Sequence, residues 1–301
     1  MATPLERAPA DLAPGHTLFL KREDTHELGA FKWRGALPTI ETFKARGFTT
    51  VVTASTGNHG AASAWAAKRL GVQAVVFAPS GASRAKLELI ARQGAQVQQA
   101  GRDFDGAKDR ARAYAAERGV PFFEDGAEPT QYVGYGVIAN EILDQLHAPP
   151  AAVLVPLGNG ALIGGIGQAL RARSPKTKVI AVAAKEAPVM VLSHQAGRAV
   201  PCERMVTFAD GLAVRVAIPY AVEVLRQVVD RMLLVSEREL ARAVGRYAAA
   251  GIRVEGAAAA ALAGLTQLSA FDAPVVVIVT GRNIDDALYD RAVHAPESFT
   301  P

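Results

Sequence analysis

Apolar runs short enough to be buried strands alternate along this chain with segments of helical pattern. That alternation limits the fold more than any other feature. Residues 17–21, 48–54, 72–78, 95–99, 120–123, 152–157, 178–184, 232–235 and 274–279 read as strands, dominated by Val, Ile, Leu, Phe and Ala. Helical patterns fall at 31–46, 83–93, 103–118, 135–146, 223–229, 237–250 and 255–268, and two more run up to Leu70 and Arg173. Residues 1–16, broken by Pro4, Pro9, Pro14 and Gly15, read as loop, and 187–220 read as irregular. Strand–helix alternation of this kind predicts an α/β fold. Its open sheets should be mainly parallel, with helices on both faces, and there are strands enough for two of them. In such sheets ligands bind beyond the carboxyl ends of the strands. The glycine- and hydroxyl-rich stretches of this chain lie just after apolar strands, so they could converge on one crevice.

Composition narrows the class. Half of the 301 residues are apolar and 21% are charged, which is globular. The net charge of +4 is spread out with no Lys/Arg run, so a nucleic-acid partner is not expected. No apolar run approaches the length of a membrane span, and no signal segment opens the chain, so neither membrane nor export is expected. A single cysteine, Cys202, rules out an intrachain disulfide and fits a reducing cytoplasm.

The chemistry sits at strand ends. Lys32 falls in the first turn of the helix predicted over 31–46, after Gly29, Ala30 and Phe31. A cation is disfavoured at the positive end of a helix, so the place suits an amine kept neutral or joined covalently to an aldehyde. By itself a lysine near a helix start is an ordinary surface charge. After 48–54 come Ser55, Thr56, Gly57, Asn58, His59 and Gly60, a set of hydroxyls, amide and helix-start N–H groups able to hold a carboxylate. The plainer reading of the same residues is an N-cap, a turn glycine and a structural histidine. The serine lacks the G-x-S-x-G elbow of a nucleophile, and no Cys/His cluster has metal-ligand spacing, so no metal is expected.

After 152–157 come Gly158, Asn159, Gly160, Ala161 and Leu162, small residues that let backbone N–H groups approach a phosphate at a helix start. A dinucleotide is the rival guest, since Gly158, Gly160 and Gly164 are spaced for it. The acidic residue that NAD would want is absent at the end of the next strand, where Lys185 would suit NADP. Thr280, Gly281, Arg282 and Asn283 close the last strand. The Thr280 hydroxyl could bond a ring nitrogen or cap the next helix, and the cap is the plainer reading of the residue alone. Glu255 opens a helix, a stabilising place for an acid with or without function.

Taken together, these stretches resemble the fold-type II, tryptophan synthase β-like pyridoxal-phosphate enzymes, and within them the serine/threonine dehydratase group. The resemblance spans Thr3 to Asn283. It rests also on Lys21, Arg22, Glu23 and Asp24, on Ala209, Asp210 and Gly211, and on Glu255, Gly256 and Ala257. It implies pyridoxal 5'-phosphate as cofactor, attached to Lys32, with Phe31 flanking the ring and Asn58 bonding its 3-oxygen. Gly158, Asn159, Gly160, Ala161 and Leu162 would cradle the phosphate, Glu255 would belong to the cofactor site, and Thr280 would face the pyridine nitrogen. Ser55, Thr56, Asn58 and His59 would bind the substrate carboxylate. The expected domains are a large one of 1–38 with 135–301 and a small one of 39–134. A homodimer is expected from the family alone.

The chain departs from the pattern at Ala30, at Asn159 and Ala161, and at the segment Gly134, Tyr135, Gly136, Val137. Ala183 and Val189 stand where some relatives carry metal-binding acids, which argues against a divalent ion there. No regulatory domain follows the catalytic unit, so control by isoleucine is not expected. The implied reaction is dehydration and deamination of a β-hydroxy amino acid such as threonine or serine, giving a 2-oxo acid and ammonia. Lys32 would be the catalytic base. Thr56, where serine racemases place a second catalytic group, leaves racemisation open. Replacement chemistry of the threonine synthase or cysteine synthase kind stays open as well, as does a non-catalytic amino-acid carrier.

Overall fold

The computed structural model describes residues 2–301. In chain order the elements are β1 (Leu5–Arg7), β2 (Leu18–Arg22), α1 (Trp33–Ala45), β3 (Thr50–Ala54), α2 (Asn58–Leu70), β4 (Gln73–Ala78), α3 (Arg84–Arg92) and β5 (Gln96–Gln99). Next come α4 (Phe104–Arg118), α5 (Pro129–Gln145), β6 (Ala152–Pro156), α6 (Ala161–Arg173), β7 (Lys178–Ala184) and α7 (Val189–Ala196). The chain ends with α8 (Pro219–Val228), β8 (Arg231–Val235), α9 (Glu237–Ala249), α10 (Gly256–Leu265), β9 (Val275–Val279) and α11 (Asp286–His294). Contacts divide it into two compact units, one comprising the chain up to Phe31 with Tyr135–Pro301, the other Lys32–Gly134. The division comes earlier than residue 38 because α1 packs on α2, within the smaller unit.

The larger unit is a six-stranded sheet of order β1-β2-β9-β6-β7-β8. All neighbours are parallel except β1 with β2. Its central strands are buried on both faces, as unbroken apolar runs require. Leu154, Val182 and Val277 meet the buried alanines of α10 and the inner face of α9. The opposite-facing Val153, Val155, Val276 and Ile278 are also fully buried. Alanine lets α10 lie against the sheet. At Gly264 an added Cβ would come within 2.6 Å of Val182 Cγ2, so this helix–strand approach tolerates no side chain.

The smaller unit is a parallel three-stranded sheet, β3-β4-β5. Val52, Val75 and Phe77 pack on Ala111 and Ala115 of α4, and on the other face Val76 packs on Ala61 of α2 and Ile90 of α3. Both units are thus open, mainly parallel sheets of the α/β class.

Four local expectations change. Residues 5–7 form a strand because Ala8 N–H bonds Leu18 O and Arg22 N–H bonds Pro4 O, zipping the loop onto β2. Residues 120–123 make only one bridge, Phe122 to Val52, since Pro121 has no N–H to continue the ladder. Helix α5 starts at Pro129, not at 135. Proline suits a first helical turn, and Gly134 is needed inside the helix, because a Cβ there would sit 2.0 Å from Arg34 O. The stretch 187–220 contains α7, whose Val189, Met190 and Val191 are buried and whose end is set by Gly197 at φ +68°. Among the described residues, no helix is long and apolar enough to cross a membrane.

Candidate active site

The residues expected at the site fall into two groups, one in each unit. In the larger unit the segment 28–31 is strapped to the end of β9. Asn283 Nδ2 donates to Leu28 O at 2.7 Å, Arg282 N–H to Gly29 O at 2.9 Å, and Phe31 N–H to Thr280 O at 3.0 Å. Gly29 has φ +66°, and a Cβ there would lie 2.6 Å from Asn283 Oδ1, so the strap requires glycine. Phe31 is buried against Tyr135, their ring centroids 5.2 Å apart.

Around Thr280 the backbone is tightly drawn. Glu255 N–H donates to Gly281 O at 3.0 Å. The Glu255 carboxylate is buried, and Gly281 leaves room for it: a Cβ would be 2.8 Å from Glu255 Oε1. At the end of β6 a Cβ on Gly158 would lie 2.5 Å from Gly211 O, so this loop and the Asp210–Leu212 turn touch through backbone. Gly160, at φ +93°, turns the chain into α6 above Met190, Ala221 and Leu225. Ala161 and Leu162 are buried as the first residues of that helix. Asn159 folds back, its Oδ1 accepting the Ala161 N–H at 3.1 Å, and so occupies one of the amides a phosphate would use. Thr280 is 2% exposed, and its Oγ1 has no hydrogen-bond partner among the described residues. A buried hydroxyl left in this state is costly in a finished protein. A ring nitrogen of a bound cofactor is a group that would satisfy it.

In the smaller unit Lys32 precedes α1 and its carbonyl accepts the Ala36 N–H at 3.1 Å. The charge unfavourable at this helix end is met by a carboxylate instead of being suppressed. Lys32 Nζ is 2.6 Å from Asp125 Oδ2, with side-chain exposures of 15% and 25%. Burial by itself would push the Asp125 carboxyl up. The charges of Lys32 and His59, with hydrogen bonds from Lys32 and Gln131, outweigh it and hold the group well below the usual carboxylate range.

Ser55 closes β3, and its Oγ accepts the Gly57 N–H at 3.1 Å. Thr56 and Asn58 are half-buried, Asn58 as the first residue of α2, where first-turn amides have no partner within the helix. The His59 ring turns inward. Its centroid is 4.7 Å from that of Phe123, its Nε2 is 3.0 Å from Thr53 Oγ1, and its Nδ1 is 3.6 Å from Asp125 Oδ1. Burial lowers the His59 pKa, and nearby Lys32 lowers it further, against the pull of Asp125. Asp125 was not legible in the sequence. It lies 93 positions from Lys32 in the chain, and no pattern connects the two. Among the described residues, no group of three or more His, Cys, Asp or Glu side chains is placed to hold a metal ion.

The family described as "Pyridoxal-phosphate dependent enzyme" matches residues 1–281. The chain is similar to the L-threonine ammonia-lyase of Thermotoga maritima, 34% identical over 286 residues, covering 93% of this chain and 70% of the relative. Among solved structures, the processed form of threonine deaminase isoform 2 from Solanum lycopersicum superposes with a TM-score of 0.91 at 29% identity, over 97% of this chain and 87% of that one. The L-serine ammonia-lyase of the fungus Rhizomucor miehei gives 0.88 at 28% identity, over 97% of both chains. The chain belongs to the pyridoxal-phosphate-dependent enzyme family of fold type II, in the serine/threonine dehydratase group. Pyridoxal 5'-phosphate is its cofactor, and the unpartnered Thr280 hydroxyl and the small-residue loop after β6 fit that group.

Proposed function

We propose that this chain dehydrates and deaminates a β-hydroxy amino acid, L-threonine first and L-serine second, to a 2-oxo acid and ammonia. Beside the relatives' activity, the observation that carries the reading is Thr280. The group at the end of β9 is a neutral hydroxyl, where a carboxylate would hold a ring nitrogen firmly protonated. The bound cofactor supplies an electron sink, and a neutral partner keeps that sink modest, which favours prompt loss of a leaving group over a long-lived carbanion.

This reading gives the chain's own residues the following roles. Lys32 would hold the cofactor covalently, and its free amine would take the proton from Cα. Ser55, Thr56 and Asn58, with the first-turn amides of α2, hold the substrate carboxylate. His59 supports them from within, since its buried ring faces Thr53 and Phe123. Gly158, Asn159, Gly160, Ala161 and Leu162 receive the phosphate at the start of α6, with Phe31 beside the ring and Glu255 behind the Thr280–Gly281 turn. The same reading makes 39–134 a small substrate-binding domain and 1–38 with 135–301 a large cofactor-binding domain. It makes the protein a cytoplasmic homodimer, which light scattering and cell fractionation check.

The test is a panel of amino acids, followed for 2-oxo acid release with chiral analysis of the remaining substrate. Release from threonine or serine with little D-isomer supports the proposal. Racemisation without oxo acid, or turnover only with an added thiol or a phosphorylated substrate, overturns it.

A further inference from the structure

The smaller unit holds a carboxylate beside Lys32 that the reaction described above does not use. Asp125 is fixed from several directions. Its Oδ1 accepts Gln131 Nε2–H at 3.1 Å, and Gln131 Oε1 in turn accepts the Gly126 N–H at 2.8 Å. The Tyr132 hydroxyl donates to Gly126 O at 2.8 Å. Gln131 and Tyr132 are buried in the first turn of α5, so the Asp125–Gly126 loop is anchored by buried side chains. The carboxylate's other oxygen, Oδ2, is the one aimed at Lys32 Nζ.

His59 completes the arrangement. Thr53 Oγ1 donates its proton to Phe123 O at 2.7 Å, so toward His59 it can only accept. The proton of a neutral His59 ring is therefore assigned to Nε2, and Nδ1 presents its lone pair to Asp125 Oδ1 at 3.6 Å. That is too long for a hydrogen bond and faces acceptor to acceptor, so His59 gives Asp125 no proton in this state. With His59 neutral, Lys32 and Gln131 are the side chains that hydrogen-bond the Asp125 carboxylate, and Lys32 also pairs with it as an ion.

We infer that Asp125 is the positioning residue of Lys32, the carboxylate that receives and orients the ε-ammonium formed when Lys32 takes a proton. The inference rests on the reading of Lys32 as the base. It has two consequences of opposite sign. Nucleophilic attack by Lys32 needs the neutral amine, and a carboxylate alongside favours the ammonium, so Asp125 slows that step at neutral pH. Proton removal ends on the ammonium, so Asp125 speeds it. A side chain that merely held the loop would slow both when lost.

The experiment uses the full chain and its Asp125→Asn variant. Competitive labelling with acetic anhydride on cofactor-free protein, read by mass spectrometry, compares Lys32 with Lys176 as internal standard. The expected result is that Asp125→Asn labels Lys32 several-fold faster, relative to Lys176, than the parent does at pH 7, because the amine no longer faces a carboxylate 2.6 Å away. In the cofactor-loaded enzyme the same variant should lose at least about tenfold in kcat with KM little changed and show a larger α-deuterium isotope effect, while Asp125→Glu restores both readouts. Should Asp125→Asn fail to fold, Asp125→Ser carries the same expectations. Equal or slower labelling of Lys32 in the variant overturns the inference. Cofactor trapped by borohydride on a lysine other than Lys32 overturns the reading of Lys32 instead and leaves the labelling result standing.

Discussion

Replacing Thr280 by valine separates what its hydroxyl costs the protein from what it gives the cofactor. The residue directly follows the central strand β9, is 2% exposed, and has Oγ1 without a hydrogen-bond partner among the described residues. Valine fills the same volume without the polar atom. An unsatisfied buried hydroxyl costs about 1–3 kcal/mol by mutational measure, so the cofactor-free Thr280→Val protein should be more stable by up to that amount. The urea midpoint should rise with no change in slope, because the surface exposed on unfolding is the same. The loaded protein should show the reverse. A hydrogen bond from the hydroxyl to the ring nitrogen contributes about 0.5–1.5 kcal/mol, so cofactor affinity should fall by about two- to twelvefold. Urea unfolding of the cofactor-free chain and a fluorescence titration with pyridoxal phosphate measure the two effects. A Thr280→Val protein that is less stable when cofactor-free and binds the cofactor as tightly as the parent would refute the reasoning.

Three further outcomes are expected. Asn159→Gly frees the Ala161 N–H from Asn159 Oδ1 and should tighten pyridoxal-phosphate binding by about two- to tenfold in the same titration; weaker binding would show that the asparagine serves the phosphate directly. Lys21→Met removes an ammonium with no exposure that bonds Glu141 at 2.6 Å and Thr3 O at 2.7 Å, and should cost about 3–5 kcal/mol of stability by denaturant titration, because a largely buried ion pair loses one member. The folded pKa of His59 is lowered, so below about pH 6.5 the unfolded chain binds a proton that the folded chain refuses, and stability falls with acidification. His59→Asn should flatten the stability profile between pH 7 and 5 in part, since His194, whose pKa burial and Arg226 also lower, contributes in the same direction.

Much of this architecture could be read because parallel strands covered on both faces must be apolar throughout. Residues 152–157, 178–184 and 274–279 each carry that pattern, and β6, β7 and β9 are where it put them. The stretches proposed as sites stood out for a related reason: glycines at 158 and 160 and a hydroxyl at 280 follow apolar strands, at the end of such sheets where ligands approach. What escaped depended on distant partners. Strand β1 exists through its zipper to β2, and no local pattern announces it. Helix α7 is eight residues long, and its buried Val189, Met190 and Val191 form an apolar run too short to show a helical period. The start of α5 was hidden by Gly134 and Gly136, which look like breakers until Arg34 O and Gly165 O are seen to occupy the space their side chains would need. Asp125 was hidden most completely, since one acid among many becomes the partner of Lys32 only when β3, α2 and the loop before α5 are assembled.

The central claim is that Lys32 carries pyridoxal phosphate and removes the proton that begins dehydration. It is tested most directly by reconstituting the parent and Lys32→Ala proteins with pyridoxal phosphate, reducing a portion of each with borohydride, and assaying the rest for 2-oxo acid release from L-threonine. The account predicts that the parent releases 2-oxo acid and carries the reduced cofactor on the peptide containing Lys32, and that Lys32→Ala does neither. Cofactor trapped on another residue, or a Lys32→Ala protein that still releases 2-oxo acid at the parent's rate, would contradict it.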